Sequence, residues 1–343
     1  MKRIDRHPEK FDLLELFDAL GRQEGATFDL TGASGDTEFF TKISSSLNAL
    51  KKNPALLHGK RTEAMFGAIA ASLGSCLLVK AEDAGEIFAR EELQPPDYRV
   101  VLESGRQILV EVKNHHPTDP MKPFSMKESY VMKLLAYSKL LDVDLRFAIL
   151  WSRWTFWTLV PLSRFSLERG IFSITMDVAL RANEMADVGD YQLGTTPPLL
   201  YKLIADPTMP RSVAADGKCV FRIGSVEIHC GGNRIEDVAE QKIAWFLILF
   251  GSWNLDEPTA DVRDGLLHSV DYSAVPEQPA SDVGLCLVDA ASTMISRCYS
   301  HSTESATGIR RLTPREFVPL MPSIPIDYVG RDLPLLRLVQ KPS

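Results

Sequence analysis

PDYRVVLESGRQILVEVK, residues 96–113, decides how the rest of the chain is read. Its centre, Glu103-Ser104-Gly105, suits a three-residue hairpin loop whose last residue takes the left-handed conformation open to glycine. Under that loop Leu102 pairs with Arg106, Val100 with Ile108, Tyr98 with Val110, and Asp97 with Glu111. Side chains alternate between the faces of a strand. One face then carries Tyr98, Val100, Leu102, Ile108, Val110 and Val112, a core face. The other carries Asp97, Glu111 and Lys113 together. A two-residue loop would send Asp97 to the wrong face, so the reading depends on this register.

Two carboxylates directly across a strand pair repel each other, and a divalent cation between them removes that cost. Oxygen ligands of this kind suit magnesium or manganese. The backbone carbonyl of Val112, between Glu111 and Lys113, is a candidate further ligand. Lys113, two residues on and on the same face, can orient and help deprotonate an attacking water, or stabilise charge building on a scissile phosphate. The hairpin reads as a phosphodiester-hydrolysis site. The plain alternative is a solvated ion-pair face, because charge alternation on a strand often produces E-x-K.

Working outward, RTEAMFGAIAASLG (61–74) predicts a small-residue helix ended by Gly74, and CLLVKA (76–81) a strand. Downstream, MKESYVMKLLAYSKLL (126–141) predicts a helix, and LRFAILWSRW with TFWTLVPL a second hairpin. Helix, three strands, helix and further strand make an α/β layered unit.

With these elements in place the segment resembles the PD-(D/E)XK nuclease superfamily. The likeness rests on Pro96-Asp97, on Glu111-Val112-Lys113 closing an apolar strand, and on the flanking helices, over about residues 61–165. It implies a restriction-endonuclease-like core, a mixed sheet flanked by helices. Asp97 and Glu111 would hold the metal, and Lys113 would serve the attacking water. Glu63, on the helix before the sheet, falls where many members carry an extra acidic metal ligand. Lys133 and Tyr137, one turn apart on the later helix, resemble the Gln-and-Tyr pair of the RecB-type branch, with Lys133 standing in place of Gln. That pair is expected to contact substrate phosphate or steady the site.

The expected organisation is an N-terminal helical segment (1–60), the nuclease-like core (61–205) and an α+β C-terminal domain (206–343). The first segment predicts two helices, from FDLLELFDAL and FFTKISSSLNAL. Between 177 and 188 a helix is expected. In the last segment CVFRIGSVEIHC predicts a hairpin-like pair. NRIEDVAEQKIAWFLILFGSW predicts a helix capped by Asn233 and Glu236, 254–282 a loop-rich tract, VGLCLVDAASTMI a second helix, and LPLLRLVQ a last strand.

The whole chain is consistent with a soluble protein. Its 343 residues hold 38 Lys+Arg against 45 Asp+Glu, a net of −7, which argues against a bulk electrostatic nucleic-acid binder. The stretch 97–165 runs the other way, with 10 Lys+Arg against 7 Asp+Glu. Five scattered cysteines, no apolar run long enough for a membrane, and no signal-like apolar start lead to an expectation of a cytoplasmic protein without membrane association.

Other motifs carry less. The turn Gly32–Thr37 lacks the Lys-Ser/Thr of a phosphate loop. Glu82, Asp83 and Glu86 read as a solvated acidic loop with an outside claim to a metal ligand. Asn114, His115 and His116 read as a polar turn. Trp151, Arg153, Trp154 and Trp157 suit either base stacking or core packing. Cys286, Cys298 and His301 fall short of the four ligands of a zinc site.

The resulting expectation is a magnesium- or manganese-dependent DNA endonuclease serving restriction, phage defence, repair or mobile-element processing. Its C-terminal region would select substrate, form a homodimer or bind a protein partner. The alternative is an inactive nuclease-fold module that binds DNA or a protein.

Overall fold

The computed structural model describes residues 1–3, 12–24, 28, 30, 35–82, 85, 87–276, 284–316, 320–325 and 327–342. Two helices, α1 (Asp12–Glu24) and α2 (Asp36–Lys51), precede the sheet as expected. Helix α3 (Pro54–Leu73) starts earlier than expected. Asn53 caps it by accepting from the Leu56 amide at 3.2 Å, Pro54 fills the first turn, and Gly74 ends it at φ +95°. Position 60 therefore falls inside α3.

Five strands form the first sheet: β1 (Cys76–Ala81), β2 (Tyr98–Leu102), β3 (Gln107–His115), then, after the short β4 (Phe124–Lys127) and helix α4 (Glu128–Leu141), β5 (Asp144–Trp151) and β6 (Phe156–Pro161). Their order is β1-β2-β3-β5-β6, with β3 and β5 parallel and every other neighbour antiparallel. The helical crossover α4 makes the parallel pair possible, since parallel strands cannot be joined by a tight turn. The core is therefore mixed α/β, a mixed sheet flanked by helices.

Register follows the turn chemistry. Tyr98 faces Val110 and Val100 faces Ile108, Leu102 donates to the Arg106 carbonyl at 2.9 Å, and Gly105 sits at φ +82°. The expected core face is buried: Val100, Leu102, Ile108, Val110 and Val112 join Met65, Phe66 and Ile69 of α3. The opposite face is buried as well. Leu109, Phe147, Ile149 and Trp151 pack under Val131 and Leu134 of α4. A full large apolar side chain removed from water contributes about 1.5–3 kcal/mol, so this double burial fixes the sheet in one position.

The C-terminal half is richer in strand than its sequence pattern suggests. Strand Leu199–Ala205 lies between Ile223–Cys230 and Leu266–Pro276 in a six-stranded sheet. Position 205 is thus the end of a strand whose partners come from later residues. Ile223–Cys230 pairs there, and not with Cys219–Val220, so the expected local pair is corrected; long-range pairing with Leu199–Ala205 takes its place. Much of the expected loop at 254–282 is a hairpin, Thr259–Arg263 against Leu266–Pro276.

Two further helix expectations change. The segment 177–188 splits into α5 (Met176–Arg181) and a 3-10 turn ending at Gly189, φ +100°. Helix α6 (Val238–Phe250) is capped by Asp237, which accepts from the Ala239 and Glu240 amides. Asn233 instead pairs with Cys230 across a turn made by Gly231 and Gly232. The expected helix at VGLCLVDAASTMI is strand Cys286–Ala290 followed by α7 (Ala291–Thr303). Asp190 is buried and accepts from the Ser292 amide and hydroxyl, capping α7 from a distant segment. The expected last strand is present at Leu335–Leu338. Among the described residues no helix is long and apolar enough to cross a membrane.

Candidate active site

Asp97, Glu111 and Lys113 come together where β2 and β3 open toward α4. Asp97 stands one residue before β2, and its carboxylate Oδ2 accepts from the Val112 amide at 2.7 Å. Amide and carbonyl of one strand residue point to the same neighbour, so the Val112 carbonyl also faces the Asp97 side. Glu111 is 3% exposed. Its Oε1 accepts from both the Lys113 ammonium and the Tyr130 hydroxyl, and Lys113 Nζ also donates to Tyr130 Oη at 2.9 Å. The same ammonium lies 4.9 Å from the centre of the Tyr130 ring.

The electrostatics reflect two acids brought together away from water. Burial pushes the Asp97 carboxyl up to about 7, and the charge of Glu111 adds to the rise; Glu63, further off, contributes in the same direction. Burial opposes the charge on Lys113, yet Glu111 and Tyr130 win and its pKa is raised. Burial and the neighbouring Glu111 raise Tyr130 to about 12. At neutral pH the set is therefore a protonated lysine and a neutral phenol around Glu111, beside an Asp97 carboxyl that holds its proton far more readily than a free one.

The remaining expected residues lie around this centre without joining its hydrogen bonds. Glu63 pairs with Lys60 at 2.7 Å, one turn back on α3. Lys133 pairs with Glu92 at 2.6 Å on the surface. Tyr137 Oη donates to Glu82 Oε2 at 2.7 Å, while Arg99 donates to Glu82 Oε1 at 3.0 Å. Glu82 is therefore not part of a solvated loop. It is an anchored carboxylate whose amide also donates to the Asp97 carbonyl at 3.0 Å. Asp83 and Glu86 lie outside the described residues, as do residues 32–34 of the Gly32–Thr37 turn.

Asn114 and His115 continue β3 beside Leu150 and Trp151, so the expected polar turn is corrected to strand there. Trp151 and Trp157 are fully buried, with their indoles donating to Thr158 and Ser296, which settles them as core residues. Among the described residues no group of three His, Cys, Asp or Glu side chains is gathered tightly enough to hold a metal by itself.

Tyr130 is the site residue the sequence reading missed. Its signal was present: Tyr130, Lys133 and Tyr137 recur at i, i+3 and i+7, one face of α4. A second missed feature is Gly67. A Cβ there would stand 2.6 Å from Tyr98 Oη, so only glycine lets α3 approach the residue next to Asp97 this closely.

No family model matches this chain, and no curated protein does. Among solved structures, Hjc, a Holliday junction resolvase of Archaeoglobus fulgidus, is similar at 18% identity over 38% of this chain and 95% of that chain, with a TM-score of 0.31.

Proposed function

We propose that this chain is a metal-dependent endonuclease that hydrolyses phosphodiester bonds of DNA. The observation that carries the reading is the meeting of Asp97, Glu111 and Lys113 at one end of one hairpin, with Asp97 fastened to the strand that bears the other two.

The donor set fits a hard divalent cation. Two carboxylates and the Val112 carbonyl offer oxygen only, and the Asp97 carboxyl, raised first by burial and then by the charge of Glu111, is a group that a cation would return to its ionised form. Magnesium keeps several of its waters, so two carboxylates and a carbonyl are enough protein ligands. Manganese suits the same donors. Asp97, Glu111 and the Val112 carbonyl would hold the ion, with Glu63 available once it leaves Lys60. Bound there, a divalent ion supplies an acidified water and neutralises charge on the phosphoryl oxygens.

The chain's own residues do the rest. Lys113 is protonated in this arrangement, so its part is to donate to the attacking water and to the phosphoryl oxygens as their charge grows. Tyr130 orients Lys113 and Glu111 together. Tyr137 steadies the approach to Asp97 through Glu82, and Lys133 can exchange Glu92 for a substrate phosphate.

The test is cleavage of supercoiled plasmid and of single-stranded DNA with magnesium, manganese or EDTA, wild type beside Lys113→Ala. Metal-dependent cutting that disappears in the variant supports the reading. A pure, folded wild-type protein that cuts neither substrate with either metal overturns it and leaves a binding role.

A further inference from the structure

The segment following α7 carries Arg310, Arg311 and Arg315, and none of them meets a carboxylate among the described residues. Elsewhere in this acidic chain Arg61, Arg99, Arg146 and Arg297 each close an ion pair. Of the nearby acids, Glu304 is taken by Arg61 and Glu316 follows Arg315 in sequence. Three guanidinium groups within six residues repel one another, and a polyanion relieves that repulsion.

The segment is also held in place. The amides of Arg310 and Arg311 donate to the Thr303 carbonyl at 2.9 and 3.3 Å, and Tyr299 Oη donates to the Leu312 carbonyl. Arg3 donates to the Pro314 carbonyl at 3.3 Å, bringing a fourth guanidinium alongside. Arg311 and Arg315 line an open cleft with Cys298, Ser302, Pro314 and Leu320, and Glu316, which pairs with neither arginine among the described residues, lies at the same cleft.

Its location ties it to the hairpin. The Thr303 hydroxyl accepts from Arg61 Nε at 3.2 Å, and Ser300 accepts from the same guanidinium at 2.8 Å. Arg61 precedes Glu63 by two residues, about 200° around α3. One flank of α3 therefore turns Glu63 toward Asp97, and the other flank supports the arginine segment.

We infer that Arg310, Arg311 and Arg315 form a phosphate-backbone contact that holds DNA beside the Asp97–Glu111–Lys113 hairpin, an inference that rests on the nuclease reading for its choice of polyanion. An acidic protein would also meet the charge; the phosphodiester chemistry read in the hairpin on the other flank of α3 selects nucleic acid.

The experiment is fluorescence anisotropy of labelled duplex DNA with the full wild-type chain and with Arg310→Gln/Arg311→Gln/Arg315→Gln, in EDTA, between about 50 and 200 mM salt. The triple variant is expected to melt like wild type, bind about tenfold or more weakly, and lose about 2–3 from the salt slope, near 0.9 per phosphate contact. Equal affinity and slope overturn the inference, as does a wild-type chain that binds polyglutamate in preference to DNA. If the triple variant melts early, Arg315→Gln alone, at an exposed position, must lower the slope by about 0.9; an unchanged slope overturns the inference. Metal-dependent cleavage on the same samples separates the two readings. Arginine-dependent binding without cutting defeats the nuclease and leaves the contact; cutting and binding unchanged by the substitutions do the reverse.

Discussion

The carboxylate of Asp97 accepts from the Val112 amide at 2.7 Å, so the acid before β2 is fastened to the residue between Glu111 and Lys113. This bond continues the hairpin one step beyond its last backbone pair, Tyr98 with Val110. It holds two acids close, one of them bonded by the Lys113 ammonium. The consequences of that arrangement can be measured.

Burial, with the charge of Glu111 adding to it, pushes the Asp97 carboxyl up to about 7, well above an unfolded carboxylate. Between about pH 4 and 7 the folded chain keeps a proton that the unfolded chain has lost. Its stabilising contribution is full below that window and disappears as pH rises through 7. Thermal melting in EDTA should therefore show stability falling from pH 5 to 8, and Asp97→Asn should flatten the fall because the amide still accepts from Val112. Asp190, raised to about 6 by burial, leaves a residual slope of the same sign. Magnesium should stabilise wild type more at pH 8 than at pH 5, and Asp97→Asn at neither; an equal gain in the variant removes Asp97 from the ligand set.

Lys113→Met leaves Glu111 buried without its cation. Breaking a buried pair costs about 3–5 kcal/mol, and the lower end applies because Lys113 is 28% exposed. Denaturant melts in EDTA should record that loss, and magnesium should recover much of it while cleavage stays at least about 100-fold down. Recovery of cleavage together with stability would mean that Lys113 serves only to neutralise Glu111.

Tyr130→Phe keeps the ring under Lys113 and removes the hydroxyl that contacts both Lys113 and Glu111. Groups that orient a site in this way are worth about 10–100-fold in activity or metal affinity. The expected result is a drop of that size in kcat with KM for DNA little changed. An unaltered kcat would reduce Tyr130 to a packing residue.

Gly67→Ala pits helix propensity against space. Alanine in a helix interior gains about 1 kcal/mol over glycine, but its Cβ would press on Tyr98 Oη at 2.6 Å and on Cζ at 2.8 Å. The Tyr98 ring packs at a tilt on Phe66, centroids 5.9 Å apart, and the residue adjoins Asp97, so it cannot yield without moving the site. Overpacking costs about 1–3 kcal/mol, and cleavage should fall further than stability alone accounts for. A stabilised, fully active variant would show that the close approach is dispensable.

Much of the hairpin was legible before any coordinates. Gly105 limits the turn, the turn sets the register, and the register puts Asp97 across from Glu111. Each step is local, within eighteen residues, and β3 reads as a near-continuous apolar run because both of its faces are buried. Helices α3 and α4 were legible for the same reason, through apolar spacing and the Gly74 stop. Tyr130 was hidden by a likeness that directed attention to Lys133 and Tyr137, although all three share one face of α4.

The C-terminal half was harder because its strands take partners far away in sequence. Cys286–Ala290 looks like the start of an apolar helix until Gln192–Thr195 claims its backbone, and Ile223–Cys230 looks like half of a local pair until Leu199–Ala205 does. Only the tertiary structure could decide these pairings. The sequence by itself determined the hairpin, its register and the meeting of Asp97, Glu111 and Lys113, since short-range turn geometry dictates them. The tertiary structure decided that Glu111 is dry, that Tyr130 and not Tyr137 touches it, that Glu82 is anchored, and that Arg61 brings the arginine segment against α3. Burial, and contacts between residues tens to hundreds of positions apart, are properties of packing that no local pattern encodes.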